Sequence, residues 1–276
     1  MDGYIRLDTL LYILAAIVAA VVIIWVVVHR NVGRSLLDMT LKIDREKEKY
    51  REMKQQMTNN IAHELRTPVS SIRGYLETLT TCPDIDPVRK QMFIERAYAQ
   101  SIRLSDLIRD IALITKIEEA SSKLVKEKVN LRQVANEVFE EFKENIRTKG
   151  INVENMLSPD LEITANRTLV YAIFRNLVGN SLKYAGEHVT VHLESSGIES
   201  GMCSFRYYDT GKGVGREHLK RIFERFYRVQ EGRTREAGGS GLGLSIVRNA
   251  VSFHGGEISA LAHHGGGLEY RFSMHV

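Results

Sequence analysis

The sequence predicts a membrane-spanning helix, then a helical hairpin that pairs with a second copy as a four-helix bundle, then an α+β sandwich. Three observations carry this. Residues 9–28 are uncharged over about the length of a bilayer crossing. Two long stretches with helical apolar spacing flank the breaker-rich TCPDIDP. Beyond residue 120, period-two alternation appears in short runs that bunch late in the chain.

The first 30 residues set the topology. The run TLLYILAAIVAAVVIIWVVV ends in Trp25, three valines, His29 and Arg30, with no small-residue cleavage site after it. It reads as a retained anchor with Trp25 near one interface. Asp2, Arg6 and Asp8 precede it, and Arg30, Arg34, Lys42 and Arg45 follow it. The positive-inside bias puts residues 1–8 outside and everything after Arg30 in the cytosol. No second span follows, so no folded sensor outside the membrane is expected.

A juxtamembrane linker, 29–52, keeps a 3-4 apolar spacing through Leu36, Met39, Ile43, Tyr50, Met53 and Met57, with a miss at Glu46. Both a short coiled coil and a single solvated helix fit that pattern. Met53, Met57, Ile61 and Leu65 then step by four, which locally unwinds a supercoil, before the alternation resumes at Pro68, Ile72, Leu76 and Leu79. The hairpin occupies 53–120. Its second helix, about 88–117, carries a seam at Leu104, Leu107, Ile111 and Ile114. One hairpin cannot cover both its apolar stripes, so a homodimer is expected.

Residues 121–276 form the sandwich. Helical patterns run near 131–148, 168–184, 216–229 and 242–254. Strand patterns run at INVEN, HVTVHLE, CSFRYYD, GEISALA and LEYRFSMHV. Charged residues are 26% of the 276-residue chain and the net charge is +4, without a focused basic stripe, so direct nucleic-acid binding is not expected. Cys82 and Cys203 form no close pair and read as ordinary reduced thiols.

Five short motifs bear chemistry. His63 and Glu64 open a His-Glu-Leu-Arg-Thr-Pro stretch, where Thr67 stands at the position a zinc protease fills with histidine. Asn176, Asn180 and Lys183 share one helix face opposite Val170, Phe174, Leu177 and Ser181. Amide oxygens there can ligate Mg2+, and the ammonium can meet a phosphate. Asp209, Gly211 and Gly213 end a strand, offering a carboxylate acceptor beside backbone that a flat ligand can approach. Phe223, Phe226 and Tyr227 recur at helical spacing. Gly238, Gly239, Gly241 and Gly243 stand at the mouth of a helix, with Ser240 as a candidate N-cap. Singly, these motifs also suit an inert surface histidine, a solvated helix face, a tight turn, a packing stripe and a flexible loop.

In this order the motifs resemble the H, N, G1, F and G2 boxes of sensor histidine kinases of bacterial two-component systems, over about residues 55–276. The resemblance implies an ATP-binding sandwich of the Bergerat type, shared with gyrase and heat-shock chaperone ATPases. Those ATPases lack the His-Glu-x-x-Thr-Pro hairpin. By resemblance, His63 accepts the γ-phosphoryl group of ATP, Glu64 is the general base, and Thr67 serves dephosphorylation of a partner. Asn180 ligates Mg2+, with Asn176 and Lys183 supporting the phosphates, and Tyr184 meets the base. Asp209 accepts from the adenine amino group, and Gly211 and Gly213 shape that wall. Gly239, Gly241, Leu242 and Gly243 frame the lid, 230–237, where Arg233 and Arg235 lie. Thr210 and Lys212 depart from the commoner Asn and Pro. Pro68 is expected to bend its helix. The implied partners are a second copy and a separate response regulator whose aspartate takes the phosphoryl group. The implied location is the bacterial inner membrane, crossed once.

Overall fold

The computed structural model describes residues 7–82, 84–119, 123–229 and 239–276, and apolar periodicity and turn chemistry divide these described residues into six helices and seven strands. It forms two compact units, Met1–Ile61 and Ala62–Val276. In the first unit the segment Leu11–Arg30 has a mean hydropathy of 3.1 and is long and apolar enough to cross a membrane. Farther along it, Ile43, Tyr50 and Met53 are exposed.

The second unit begins inside helix α1 (Leu7–Thr81), which runs as a helix through Pro68. A turn leads into α2 (Pro87–Glu119), where Asp86 Oδ2 accepts from Arg89 N–H at 3.1 Å in the first turn. The anticipated seam is real. Leu107 and Ile114 are buried and Leu104 and Ile111 are half-buried, as are Leu65 and Ile72 opposite. Tyr75 stacks on Phe93 with centroids 5.7 Å apart. Val69, Leu76, Ile94, Tyr98, Ile102 and Ile108 nevertheless stay exposed on the hairpin.

The sandwich follows. Strand β1 (Glu127–Asn130) pairs antiparallel with β3 (Glu162–Ala165). A second, five-stranded sheet has the order β2-β4-β5-β7-β6, built from β2 (Asn152–Asn155), β4 (Thr190–Glu199), β5 (Met202–Asp209), β6 (Ile258–Ala262) and β7 (Leu268–His275). Among the described strands, only β2 and β4 run parallel. Alternation sends Cys203, Phe205, Tyr207 and Asp209 of β5 and Leu268, Tyr270, Phe272 and Met274 of β7 to the buried face. The helices α3 (Leu131–Glu141), α5 (Arg167–Tyr184) and α6 (Gly243–Phe253) belong to the same core. Val170, Phe174, Leu177 and Ser181 of α5 are all buried, as their spacing predicts.

Three expectations change. The stretch 131–148 is two helices, since α3 stops at Phe142 and α4 (Lys143–Thr148) restarts beyond it. Residues 216–229 are a chain of turns. Their N–H groups bond mostly to the third residue back, and Phe226, at φ +62, gives its N–H to the Gly241 carbonyl at 2.9 Å. Phe223 is buried from that irregular stretch. Ser240 does not cap α6. The N-cap is Leu242, without a side-chain cap, and Ser240 Oγ accepts from Leu242 N–H at 3.2 Å.

The outer face of the sheet is polar but ordered. His192, Tyr208 and His263 stack in sequence, each step 4.4 Å between centroids. Burial alone pushes Glu269 up, but hydrogen bonds from Arg206, Arg271 and His263 reverse this and hold it at about 2. A carboxyl depressed from 4.5 contributes stability that is complete above pH 4.5 and lost as pH falls toward about 2. Glu269→Gln is expected to cost about 2 kcal/mol near neutrality, with the gap closing through that acid window in thermal melts. A pH-independent gap would contradict this.

Backbone approach gives a second test. Gly267 has φ +92, and a Cβ there would stand 1.8 Å from the Asp209 carbonyl oxygen. Gly197 has φ +86 with open space around it. Gly197→Ala is expected to cost about 1–2 kcal/mol of strain. Gly267→Ala is expected to exceed about 4 kcal/mol. Melts of the two variants against the parent compare the effects directly.

Candidate active site

The site is built around a buried acid. Asp209 ends β5 on the inner face and is only 4% exposed. Its Oδ2 accepts from Ser181 Oγ of α5 at 2.8 Å, and Tyr207 Oη donates to that same Oγ at 3.1 Å. Its Oδ1 accepts from Gly211 N–H at 3.0 Å and more loosely from Leu268 N–H at 3.4 Å. A carboxylate has about four lone-pair sites, so these donors leave room for one more.

Glycines let the backbone close around it. A Cβ on Gly211 would lie 2.4 Å from the Ala185 carbonyl oxygen, which itself accepts from Lys212 N–H at 3.0 Å. Gly213 has φ +65, and a Cβ there would lie 2.6 Å from the Gly267 carbonyl oxygen. The C-terminal end of α5, the turn after β5 and the turn before β7 therefore meet as bare backbone. That leaves a wall a flat ring can approach.

The polar face of α5 lies beside this wall. Asn166 caps α5 by accepting from Leu169 N–H at 3.1 Å. Its own N–H donates to the buried His254 Nε2 at 2.9 Å. Burial pushes His254 down, and with Nδ1–H on the Ala250 carbonyl at 2.7 Å it serves as a neutral spacer. Asn176 Nδ2 donates to the Ala172 carbonyl at 2.8 Å, and its Oδ1 would lie 2.5 Å from a Cβ on Gly243. Burial pushes the Tyr270 hydroxyl up, and a hydrogen bond with Asn180 pulls it partly back. Asn180 carries an amide oxygen of the kind that can ligate a cation. Lys183 and Tyr184 are exposed at the end of the helix. The Tyr184 hydroxyl lies where a Cβ on Gly239 would be, 2.5 Å away.

Gly239, Gly241 and Gly243 thus approach Tyr184, Phe226 and Asn176 in turn. Gly241, at φ +71, would clash with Phe226 backbone if it carried a Cβ. Leu242 is fully buried and anchors the stretch. Gly238, Arg233, Arg235 and the lid 230–237 lie outside the described residues.

The second group stands on α1. The His63 side chain is 67% exposed, and its Nδ1 faces Glu64 Oε1 at 3.9 Å. Thr67 Oγ1 donates to the His63 carbonyl at 3.3 Å, one turn away. Pro68 is buried just beyond. No hydrogen bond or ion pair joins His63 to the Asp209 group among the described residues.

Sequence reasoning missed the contacts that dock α2 on the sandwich. Asp106 Oδ1 pairs with Arg175 Nη2 at 3.4 Å, and Arg175 Nε meets Glu141 Oε1 at 3.0 Å. Glu118 pairs with Arg225. Ser240 Oγ donates to Asp110 Oδ2 at 3.3 Å. Burial pushes Asp110 up to about 6 against the pull of that hydrogen bond and of Arg175. Asp106 and Asp110 sit i, i+4 on α2, a spacing visible in the sequence, but nothing there names their partners.

Comparison with known proteins agrees with this two-part arrangement. Residues 53–120 match the His Kinase A (phospho-acceptor) domain, and residues 165–276 match the Histidine kinase-, DNA gyrase B-, and HSP90-like ATPase. Drug sensory protein A of Synechocystis sp. is 34% identical over 259 residues, covering 90% of this chain and 38% of that protein. The chain spans less than half the length of each of the first curated relatives it matches. Among solved structures, full-length ShkA in complex with AMPPNP is 27% identical, with a TM-score of 0.57 over 80% of this chain and 45% of that one. Histidine kinase ThkA, solved in complex with response regulator protein TrrA, shares the fold. It is 24% identical, with a TM-score of 0.63 over 80% of this chain and 61% of that one. With both domain models in order, the helical hairpin and the α+β sandwich that carries the buried Asp209, the chain belongs to the sensor histidine kinases of two-component systems.

Proposed function

We propose that the protein phosphorylates itself on His63 with ATP and passes the phosphoryl group to an aspartate of a separate response regulator. One observation carries the reading. A buried carboxylate with a lone-pair site to spare, walled by bare backbone, shares a chain with an exposed imidazole backed by a carboxylate.

Each residue then has a part. Asp209 accepts from the adenine amino group, which a guanine ring would present as a carbonyl. Gly211 and Gly213 form the ring's wall, and Tyr184 covers it. Asn176, Asn180 and Lys183 face the phosphates, and Gly239, Gly241, Leu242 and Gly243 hold the root of the lid. Among the described residues no three His, Cys, Asp or Glu side chains gather as a metal site. Mg2+ would rest on Asn180 and on phosphate oxygens, and would supply charge neutralisation at the transferred group.

His63 Nε2 forms the bond to the γ-phosphorus. The bond to the β,γ-bridging oxygen breaks, and its electron pair leaves with ADP. The proton on Nδ1 passes to Glu64. Thr67 would position water when phosphate is removed from the regulator. The exposed apolar residues of the hairpin favour a homodimer that covers them. The span at Leu11–Arg30 would anchor the chain in the inner membrane once, N-terminus outside, by the positive charges that follow it. The corresponding domains are 1–8, 9–28, 29–52, 53–120 and 121–276.

Incubation of the full chain with γ-labelled ATP and Mg2+ is expected to give acid-labile, base-stable label. His63→Gln is expected to give none. Asn180→Ala is expected to lose at least about a hundredfold in rate through the missing cation contact. Label on serine or threonine would end the reading. Asp209→Asn removes a charged acceptor, so binding of a fluorescent ATP analogue is expected to weaken about 10–100-fold.

A further inference from the structure

The carboxylate beside His63 has a second neighbour. Glu64 Oε1 lies 3.9 Å from His63 Nδ1, while Glu64 Oε2 lies 3.8 Å from Arg103 Nη2 on α2. The two oxygens are divided between two helices, one facing the imidazole and one facing a guanidinium. Exposure separates the three side chains. His63 is 67% exposed, Glu64 24% and Arg103 22%. A carboxylate withdrawn this far from water needs a compensating charge. Arginine supplies one that does not titrate and that presents donors in a fixed fork.

Both separations exceed the ~2.9 Å of a hydrogen bond, so Glu64 must move by about 1 Å to take a proton from the ring. A surface glutamate on its own samples many rotamers. One whose Oε2 is tethered across the hairpin samples mainly those that turn Oε1 to the ring.

We infer that Arg103 is a positioning residue for this reaction: it holds Glu64 so that the carboxylate faces His63 Nδ1 and leaves Nε2 outward. This rests on the reading that His63 accepts the phosphoryl group and Glu64 its proton. Arg103 touches none of the reacting atoms. Its absence costs orientation, a loss in the rate of the bound complex rather than in nucleotide affinity. Its charge also bears on the Lys183 ammonium. The charge-keeping Arg103→Lys variant therefore separates the orienting fork from the bare charge.

The test is a double-mutant cycle on the full chain in lipid nanodiscs. The rate of autophosphorylation at saturating ATP and the KM for ATP are measured for the parent, Arg103→Ala, Arg103→Lys, Glu64→Gln and Arg103→Ala with Glu64→Gln. Arg103→Ala is expected to slow the saturated rate about 10–100-fold, within the range of lost general-base catalysis. Arg103→Lys is expected to recover part of that rate, with KM changed less than about twofold. In the Glu64→Gln background, Arg103→Ala is expected to add less than about a twofold further loss, because the group it positions is already gone. If Arg103→Ala melts early, Arg103→Met keeps the apolar stem and runs the same cycle. An Arg103 effect of equal size with and without Glu64, or one confined to KM, overturns the inference. Absence of acid-labile label on the parent, or its survival in His63→Gln, overturns the underlying reading instead.

Discussion

Burial of the Asp209 carboxylate constrains the rest of the sandwich. A carboxyl group at 4% exposure is tolerated only when its oxygens are met by donors. The donors come from three places: Ser181 on α5, Gly211 in the following turn and Leu268 at the start of β7. Each is fixed in turn. Ser181 is held by Tyr207, Gly211 is pressed against Ala185, and Leu268 follows a glycine that the Asp209 carbonyl would not permit to carry a Cβ. One charged side chain therefore ties helix, turn and hairpin together, and the tie leaves a polar notch walled by backbone. A polar network in a core is stable only when nearly complete. An adenine amino group would fill the remaining lone-pair site.

The imidazole faces the opposite requirement. On the proposed reading it has to be reachable, and the His63 side chain is far more exposed than that of Glu64 beside it. Exposure alone gives a histidine with no preferred tautomer. The carboxylate behind it is drawn in, and α2 provides its counter-charge. On the proposed reading, nucleotide wall and acceptor solve different problems with the same physics. One buries a charge and satisfies it for recognition. The other leaves the reacting atom in water and buries the group that orients it.

How much of this could be read from residues alone follows the range of the interactions. The α5 face, with its core residues and its amides, was legible because helical period is a local property and the residues obey it. The strands of the main sheet were legible by alternation for the same reason. The stretch 216–229 was misread as helix, because its apolar spacing suits a helix while its hydrogen bonds are set elsewhere. Phe226 answers to Gly241, a partner that only the fold brings near. Strands β1 and β3 were missed, since four-residue ladders such as EKVN and EITA leave too short a pattern. Ser181 looked like core and is core, but its hydroxyl serves Asp209, a pairing separated by 28 positions. Ion pairs such as Arg175 with Asp106 are likewise products of docking and leave no trace in spacing.

Helix α2 links these two solutions. Arg103, Asp106 and Asp110 stand at i, i+3 and i+7, one stripe on a single helix. Arg103 faces Glu64 on α1, while Asp106 and Asp110 face Arg175 and Ser240 on the sandwich. A helix turns as a rigid body. Any displacement of α2 that moves Arg103 from Glu64 therefore also bears on the contacts of Asp106 with Arg175 and of Asp110 with Ser240. Arg103 offers donors to the Glu64 carboxylate, while Asp106 and Asp110 offer acceptors to the Arg175 guanidinium and the Ser240 hydroxyl. Ser240 donates its proton to Asp110 and accepts one from Leu242 N–H, so a displaced Asp110 reaches the first residues of α6 directly. The Glu64 contact on α1 and the Ser240 contact ahead of α6 are in this way carried by one stripe of α2.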